Sequence, residues 1–95
     1  MSCCAILVNF HTADLIEGAV RSLEASSRCD EIIVVDNSDS REEWDRLNSR
    51  IGGLARILSN AGNQGFAKAC NLAFQSSSSD YVLLLNPDAR LLGNA

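Results

Sequence analysis

The sequence predicts an α/β fold on a mostly parallel sheet of about four strands with flanking helices. Three observations predict it. Short unbroken apolar runs recur along the chain, helical patterns fill the intervals between them, and each run exits into a polar cluster.

Residues 4–8 (Cys-Ala-Ile-Leu-Val), 31–35 (Glu-Ile-Ile-Val-Val) and 81–85 (Tyr-Val-Leu-Leu-Leu) are near-continuous apolar runs, as parallel strands covered on both faces require. Residues 56–59 form a weaker fourth strand. Between the first two runs, residues 12–25 repeat Ile16, Ala19, Val20 and Leu23 at helical spacing, behind a Thr12 suited to cap the first turn. Residues 65–75 place Phe66, Ala69, Cys70 and Ala73 on one helical face, and the serines at 76–79 end that helix as a loop. The charged stretch 41–50 carries Trp44 and Leu47 three apart, which predicts a short surface helix with a thin apolar stripe.

At 95 residues, with 46% hydrophobic and 21% charged, the chain has the composition of one compact globular domain spanning 1–95. Its net charge of -4 argues against a nucleic-acid partner, since neutralising a phosphate backbone needs clustered Lys and Arg. A bound phosphate must therefore be met by a metal ion, backbone amides or single basic residues. The four cysteines, Cys3, Cys4, Cys29 and Cys70, form no C-x-x-C pair and have no His at zinc spacing, so they read as plain buried or half-buried thiols. The first residues lack a basic region and their apolar run stops at Val8, too short for a signal peptide or a membrane span. The N-terminus is expected to be folded and cytoplasmic; a membrane segment in a longer parent protein stays open.

In parallel α/β sheets, ligands bind outside the carboxyl ends of the strands. There the sequence places Asn9-Phe10-His11, Asp36-Asn37-Ser38, Asn60-Ala61-Gly62-Asn63-Gln64-Gly65 and Asn86-Pro87-Asp88. Each has a plain structural explanation. Asp, Asn and Ser favour turns, Pro breaks a strand end, and glycines supply positive φ before a helix. His11 alone reads as a surface residue and Lys68 as a solvated helix residue. Their joint occurrence on one rim points to a ligand site. Neither G-x-G-x-x-G nor G-x-x-x-x-G-K-[ST] is present.

Four blocks carry a family resemblance: residues 6–12 (Ile-Leu-Val-Asn-Phe-His-Thr), 33–38 (Ile-Val-Val-Asp-Asn-Ser), 63–71 (Asn-Gln-Gly-Phe-Ala-Lys-Ala-Cys-Asn) and 83–89 (Leu-Leu-Leu-Asn-Pro-Asp-Ala). In order and spacing they resemble the signature blocks of family 2 glycosyltransferases. The rhamnosyltransferase-like branch, with Asn-Pro-Asp in place of Asp-x-Asp, is the one they resemble most. The resemblance implies a Rossmann-like GT-A half whose first strand end, Val8 and Phe10, packs against a pyrimidine base while Asp36 accepts the base's ring N–H. It implies close backbone approach at Gly65, a nucleotide contact at Lys68, and a divalent cation, Mg or Mn, on Asp88. At Asn86 the chain departs from relatives that carry a second acid there, which weakens the expected metal affinity without nucleotide.

The function so implied is the nucleotide-sugar-binding part of an inverting glycosyltransferase. It would take a UDP- or dTDP-sugar, with rhamnose preferred, and serve a cell-surface polysaccharide acceptor. The alternative is a non-catalytic nucleotide-binding or regulatory module of the same fold. No carboxylate stands at a position suited to a general base, so the chain is expected to be an inactive N-terminal part of a longer enzyme. It is also expected to self-associate through a sheet edge or an apolar patch around Leu91 and Leu92. The full-length protein is expected in the cytoplasm, with the inner membrane face as a further location.

Overall fold

The computed structural model describes residues 2–26, 29–59 and 65–85. Seven elements follow one another: β1 (Cys3–Asn9), α1 (Ala13–Ser26), β2 (Glu31–Asp36), α2 (Arg41–Ile51), β3 (Arg56–Ser59), α3 (Phe66–Ser76) and β4 (Tyr81–Leu85). Every strand pair is parallel, in the order β3-β2-β1-β4. The expected Rossmann-like α/β class is therefore the one observed. Register places Asn9 beside Asp36 and Asp36 beside Ser59, so three strand ends share one row.

The strand order follows from the right-handedness of β-α-β crossovers. From β1 to β3 the chain steps in one direction, and α1 and α2 pack on one face over Ala5, Leu7, Ile32 and Val34. To reach β4 on the far side of β1 the chain reverses, which puts α3 on the other face over Cys4, Ile6, Val8, Ile33 and Val35. Alternate residues of β1 and β2 thus enter opposite cores, which explains why the strands are unbroken apolar runs from Cys4 to Val8 and from Ile32 to Val35. Ile16, Val20 and Leu23 of α1 and Ala69 and Ala73 of α3 are buried as their spacing predicts.

Three local expectations are revised. The strand β4 is apolar yet not covered: Tyr81 to Leu84 are 36–56% exposed. It lies outermost beside β1, whereas the helices pack over β1 and β2. The Leu91–Leu92 patch lies outside the described residues. Thr12 precedes α1 and its carbonyl accepts from the Ile16 N–H, but its hydroxyl donates to Asn9 Oδ1 at 2.9 Å instead of capping the helix. The stripe of α2 is Glu43, Leu47 and Ile51, spaced four apart, with Trp44 only half-buried beside it.

The four cysteines are free thiols. Folding brings two of them together, with Cys3 Sγ 3.5 Å from Cys29 Sγ. Burial, and then the contact with Cys3, pushes the Cys29 thiol up to about 11.

The starts of β1 and β4 are joined by a small polar clasp. Asp80 Oδ2 accepts from the Ser2 N–H at 3.0 Å and the Ser2 hydroxyl at 3.1 Å, and the Asp80 N–H donates to Ser2 Oγ at 2.9 Å. The Ser2 donors hold the Asp80 carboxyl below its ordinary value. A lowered folded-state pKa means the clasp stabilises above the unfolded carboxylate value, about pH 4, and stops doing so as pH falls through the lower folded value. Asp80→Asn is therefore expected to lower Tm at pH 7, and the gap from wild type should close on acidification below about pH 4. Melting curves across pH check this; a gap that is constant with pH would exclude the carboxylate as its source.

Candidate functional site

Five side chains at the carboxyl ends of β1 and β2 form a buried polar cluster: Asn9, Asp36, Asn37, Ser38 and Glu43 are each 0–7% exposed. Asn9 is its centre. Its Oδ1 accepts from the Thr12 N–H at 3.0 Å and the Thr12 hydroxyl at 2.9 Å, which fixes the amide's orientation. Its Nδ2 then faces three acceptors: Glu43 Oε2 at 2.9 Å, Asp36 Oδ1 at 3.1 Å and Ser38 Oγ at 3.3 Å. Among the described residues no buried side-chain polar atom lacks a partner, as a stable buried network requires.

Two further bonds latch the loop after β1 to the loop after β2. The Asn37 N–H donates to the Asn9 carbonyl and the His11 N–H to Ser38 Oγ, both at 2.8 Å. Each loop contains one non-glycine residue in the left-handed region, His11 at φ 54° and Asp39 at φ 53°. Such conformations cost free energy and persist where surrounding structure imposes them, commonly at ligand sites.

Asp36 is only 4% exposed. Both hydrogen bonds to its carboxylate from described residues fall on Oδ1, from Asn9 Nδ2 at 3.1 Å and the Ser38 N–H at 3.2 Å. Oδ2 receives none of these. The residue lines a cleft of about 280 Å³ together with Asp39, Ser40, Arg41, Trp44 and Ser59, at the ends of β2 and β3.

The other sequence-derived site residues are placed as follows. Phe10 is 53% exposed on the rim, its ring edge-on to His11 with centroids 4.8 Å apart. Val8 is 8% exposed and belongs to the core beneath α3. Gly65 sits at the N-cap of α3 with φ 95°, a conformation that strains any side chain, although a Cβ there would meet nothing within 4 Å. Lys68 is exposed on the first turns of α3. Asp88 lies outside the described residues. Among the described residues no group of three or more His, Cys, Asp or Glu could hold a metal ion. No described helix is long and apolar enough to cross a membrane.

The sequence alone gives Glu43 no role, because it falls in the densely charged stretch 41–50. Ser40-Arg41-Glu42-Glu43 has the S-x-x-E spacing of a capping box, in which the Glu reaches back to its own helix. Ser40 Oγ does accept from the Glu43 N–H at 3.2 Å, but the Glu43 carboxylate turns away to Asn9 and to the Ala13 N–H at 3.0 Å, the first residue of α1. The only sequence signal is that Glu43 is spaced four and eight before Leu47 and Ile51 on the buried stripe.

A parallel sheet whose order reverses at β1 and whose strand ends carry a polar cluster defines a doubly wound α/β protein with its ligand rim at the carboxyl edge. The model of the Glycosyl transferase family 2 matches residues 4–94, and the chain belongs to that family. Its fold resembles a mannosyltransferase from Pyrobaculum calidifontis solved in complex with GDP-mannose and Mn2+, at TM-score 0.77 and 20% identity over 93% of this chain and 28% of that one. It also resembles glucosyl-3-phosphoglycerate synthase from Mycobacterium tuberculosis, solved with Mn2+, UDP and glucosyl-3-phosphoglycerate. There the TM-score is 0.73 and the identity 21%, over 97% of this chain and 34% of that one. The chain thus spans about a third or less of the length of either. No curated protein sequence matches it.

Proposed function

We propose that this chain forms the nucleotide-sugar-binding part of an inverting glycosyltransferase, with a UDP- or dTDP-sugar as donor and a saccharide as acceptor. The supporting observation is Asp36: nearly buried at a strand end, with Oδ1 held by Asn9 and Ser38, it borders a cleft and receives no bond from the described residues at Oδ2. An ionised carboxylate oxygen is an acceptor only, so it selects a ring N–H. Uracil and thymine present one between two carbonyls, and cytosine presents a bare ring nitrogen. Guanine also has a ring N–H, which makes GDP the informative competitor. Phe10 offers the base an exposed aromatic ring at the end of β1, with Val8 in the core behind that strand end. Gly65 admits backbone close to the nucleotide, and Lys68 supplies a positive charge.

The strand order reverses between β1 and β4, and the crevice of doubly wound sheets falls outside the ends of the strands at such a point. Asp88 follows β4 by three residues, and Leu85 pairs with Leu7 near the end of β1. The reading therefore lays the base near Asp36 and the diphosphate toward Asp88, which would hold Mg or Mn together with diphosphate oxygens. When bound, such a cation stabilises the charge that develops on the departing nucleoside diphosphate. Both comparison enzymes were solved with Mn2+, which supports the choice of metal. Rhamnose as the sugar and a cell-surface polysaccharide as the acceptor rest on the Asn86-Pro87-Asp88 block. A cytoplasmic location, at the inner face of the membrane in a full-length protein, accompanies them.

Calorimetric titration with UDP, dTDP, GDP and CDP, each with and without Mn2+, tests the reading. UDP or dTDP is expected to bind, to tighten with Mn2+, and to exceed CDP by about tenfold or more. Failure of all four to bind in the presence of Mn2+ would overturn it, and preference for GDP would replace the proposed donor. Asp88→Asn is expected to abolish the Mn2+-dependent gain and spare metal-free binding. A gain retained in that variant would remove Asp88 from the metal site.

A further inference from the structure

We propose that Glu43 is a positioning residue for Asp36, acting through Asn9, and this rests on the nucleotide reading of Asp36 above. Carboxylates are seldom buried unless paired, and Glu43 is 3% exposed. Its ion pair does not account for that burial, because Arg46 reaches only Oε1, at 3.3 Å, and is itself 47% exposed. The buried oxygen, Oε2, takes two neutral donors instead, Asn9 Nδ2 at 2.9 Å and the Ala13 N–H at 3.0 Å. Both belong to the β1–α1 junction, whose other polar contacts lead to the ligand rim.

An amide nitrogen has two hydrogens. In Asn9 the shortest Nδ2 contact goes to Glu43, leaving one hydrogen shared by Asp36 Oδ1 and Ser38 Oγ. The amide cannot flip, because its oxygen is committed to Thr12. Glu43 thus holds the amide in the plane from which it grips Asp36 Oδ1, and that grip determines where Oδ2 faces. Without the carboxylate at 43, one Asn9 hydrogen loses its acceptor, the amide is free to turn toward Ser38, and Asp36 loses its fixed orientation. Glu43 also accepts from the first N–H of α1, where a negative charge is favoured by the helix dipole, so the start of α1 moves with the same group.

A purely structural role, as a cap on α1, would lower stability and leave the coupling between Glu43 and Asp36 at zero. The test is a double-mutant cycle on UDP affinity. Glu43→Leu is expected to raise the UDP Kd about tenfold, the size of one well-placed hydrogen bond. Glu43→Gln keeps an oxygen toward Asn9 and Ala13 while its amide nitrogen replaces Oε1 near the half-exposed Arg46, so its Kd is expected within about threefold of wild type. In an Asp36→Asn background, Glu43→Leu is expected to change Kd by less than about twofold, because the acceptor oxygen whose direction it sets, Oδ2, is gone. Additive effects would overturn the proposal, as would a Glu43→Gln variant as weak as Glu43→Leu.

A ligand-free measurement keeps the test independent of the functional reading. The carboxyl 13C chemical shift of Asp36 is expected to move in Glu43→Leu and to stay near wild type in Glu43→Gln. If wild type binds no nucleotide yet Asp36 shifts in this way, the functional reading fails and the positioning relation stands. If Asp36 is unmoved in Glu43→Leu, the relation fails whatever the nucleotide results. Should Glu43→Leu not fold, Glu43→Asp, one methylene too short to span Asn9 and Ala13, takes its place with the same expected shift.

Discussion

Asp36→Asn is expected to weaken UDP binding by about 1.5–3 kcal/mol, the range for hydrogen bonds to charged groups, with little change in the unfolding midpoint. The substitution keeps an oxygen at Oδ1, so the bonds from Asn9 Nδ2 and the Ser38 N–H survive and the rim keeps its shape. An NH2 group replaces Oδ2 and sets a donor against the ring N–H of uracil. The same NH2 suits the bare ring nitrogen of cytosine, so CDP should lose nothing or gain, and the UDP-to-CDP ratio should narrow or invert. Calorimetry with both nucleotides on both proteins checks this. Unchanged UDP affinity would leave Asp36 as a buried turn residue.

Much of the fold was legible because this sheet is covered on both faces. In β1 and β2 every position from Cys4 to Val8 and from Ile32 to Val35 enters one of two cores, so the strands show as unbroken apolar runs. β4 gives the same signal from an exposed edge. Composition reports what a strand can bury, and its neighbours decide what it does bury. The spacing in α1 was readable for a similar reason, since Ile16, Ala19, Val20 and Leu23 face one core. The thin stripe of α2 misled, because Trp44 drew attention while the third buried position on that face, beside Leu47 and Ile51, is a glutamate.

The site was legible where a motif names chemistry and illegible where chemistry depends on packing. Asp36 stands out as an acid directly after an apolar run. Asn9 reads as one more strand-end polar residue, and only the β1–β2 register, which sets it beside Asp36, makes it the hub of the cluster. Glu43 is hidden twice: it looks like one member of a charged surface helix and like the last residue of a capping box. Its burial results from α2 packing against α1 on the same face of the sheet, a long-range arrangement that no window of sequence contains.

Asn9→Leu is expected to produce the largest loss of stability, about 3–6 kcal/mol, because a hydrogen bond to each of two buried carboxylates is lost at about 1.5–3 kcal/mol apiece. Asn9 is fully buried and its one amide nitrogen serves two carboxylates, Glu43 at 2.9 Å and Asp36 at 3.1 Å, both nearly buried themselves. Leucine is similar in size, so the change creates little cavity and the loss reports the polar contacts. It also removes the acceptor of the Thr12 N–H and hydroxyl, loosening the turn into α1. Against a typical total of about 5–15 kcal/mol, such a loss leaves the domain marginal. Urea unfolding should show a lower midpoint at unchanged slope. The double variant Asn9→Leu/Glu43→Leu should be more stable than the two single losses summed, because it removes one stranded carboxylate along with its former donor. Simple additivity would mean that Asn9 and Glu43 contribute separately, and a midpoint close to wild type in Asn9→Leu would show that water supplies the donors the amide had provided.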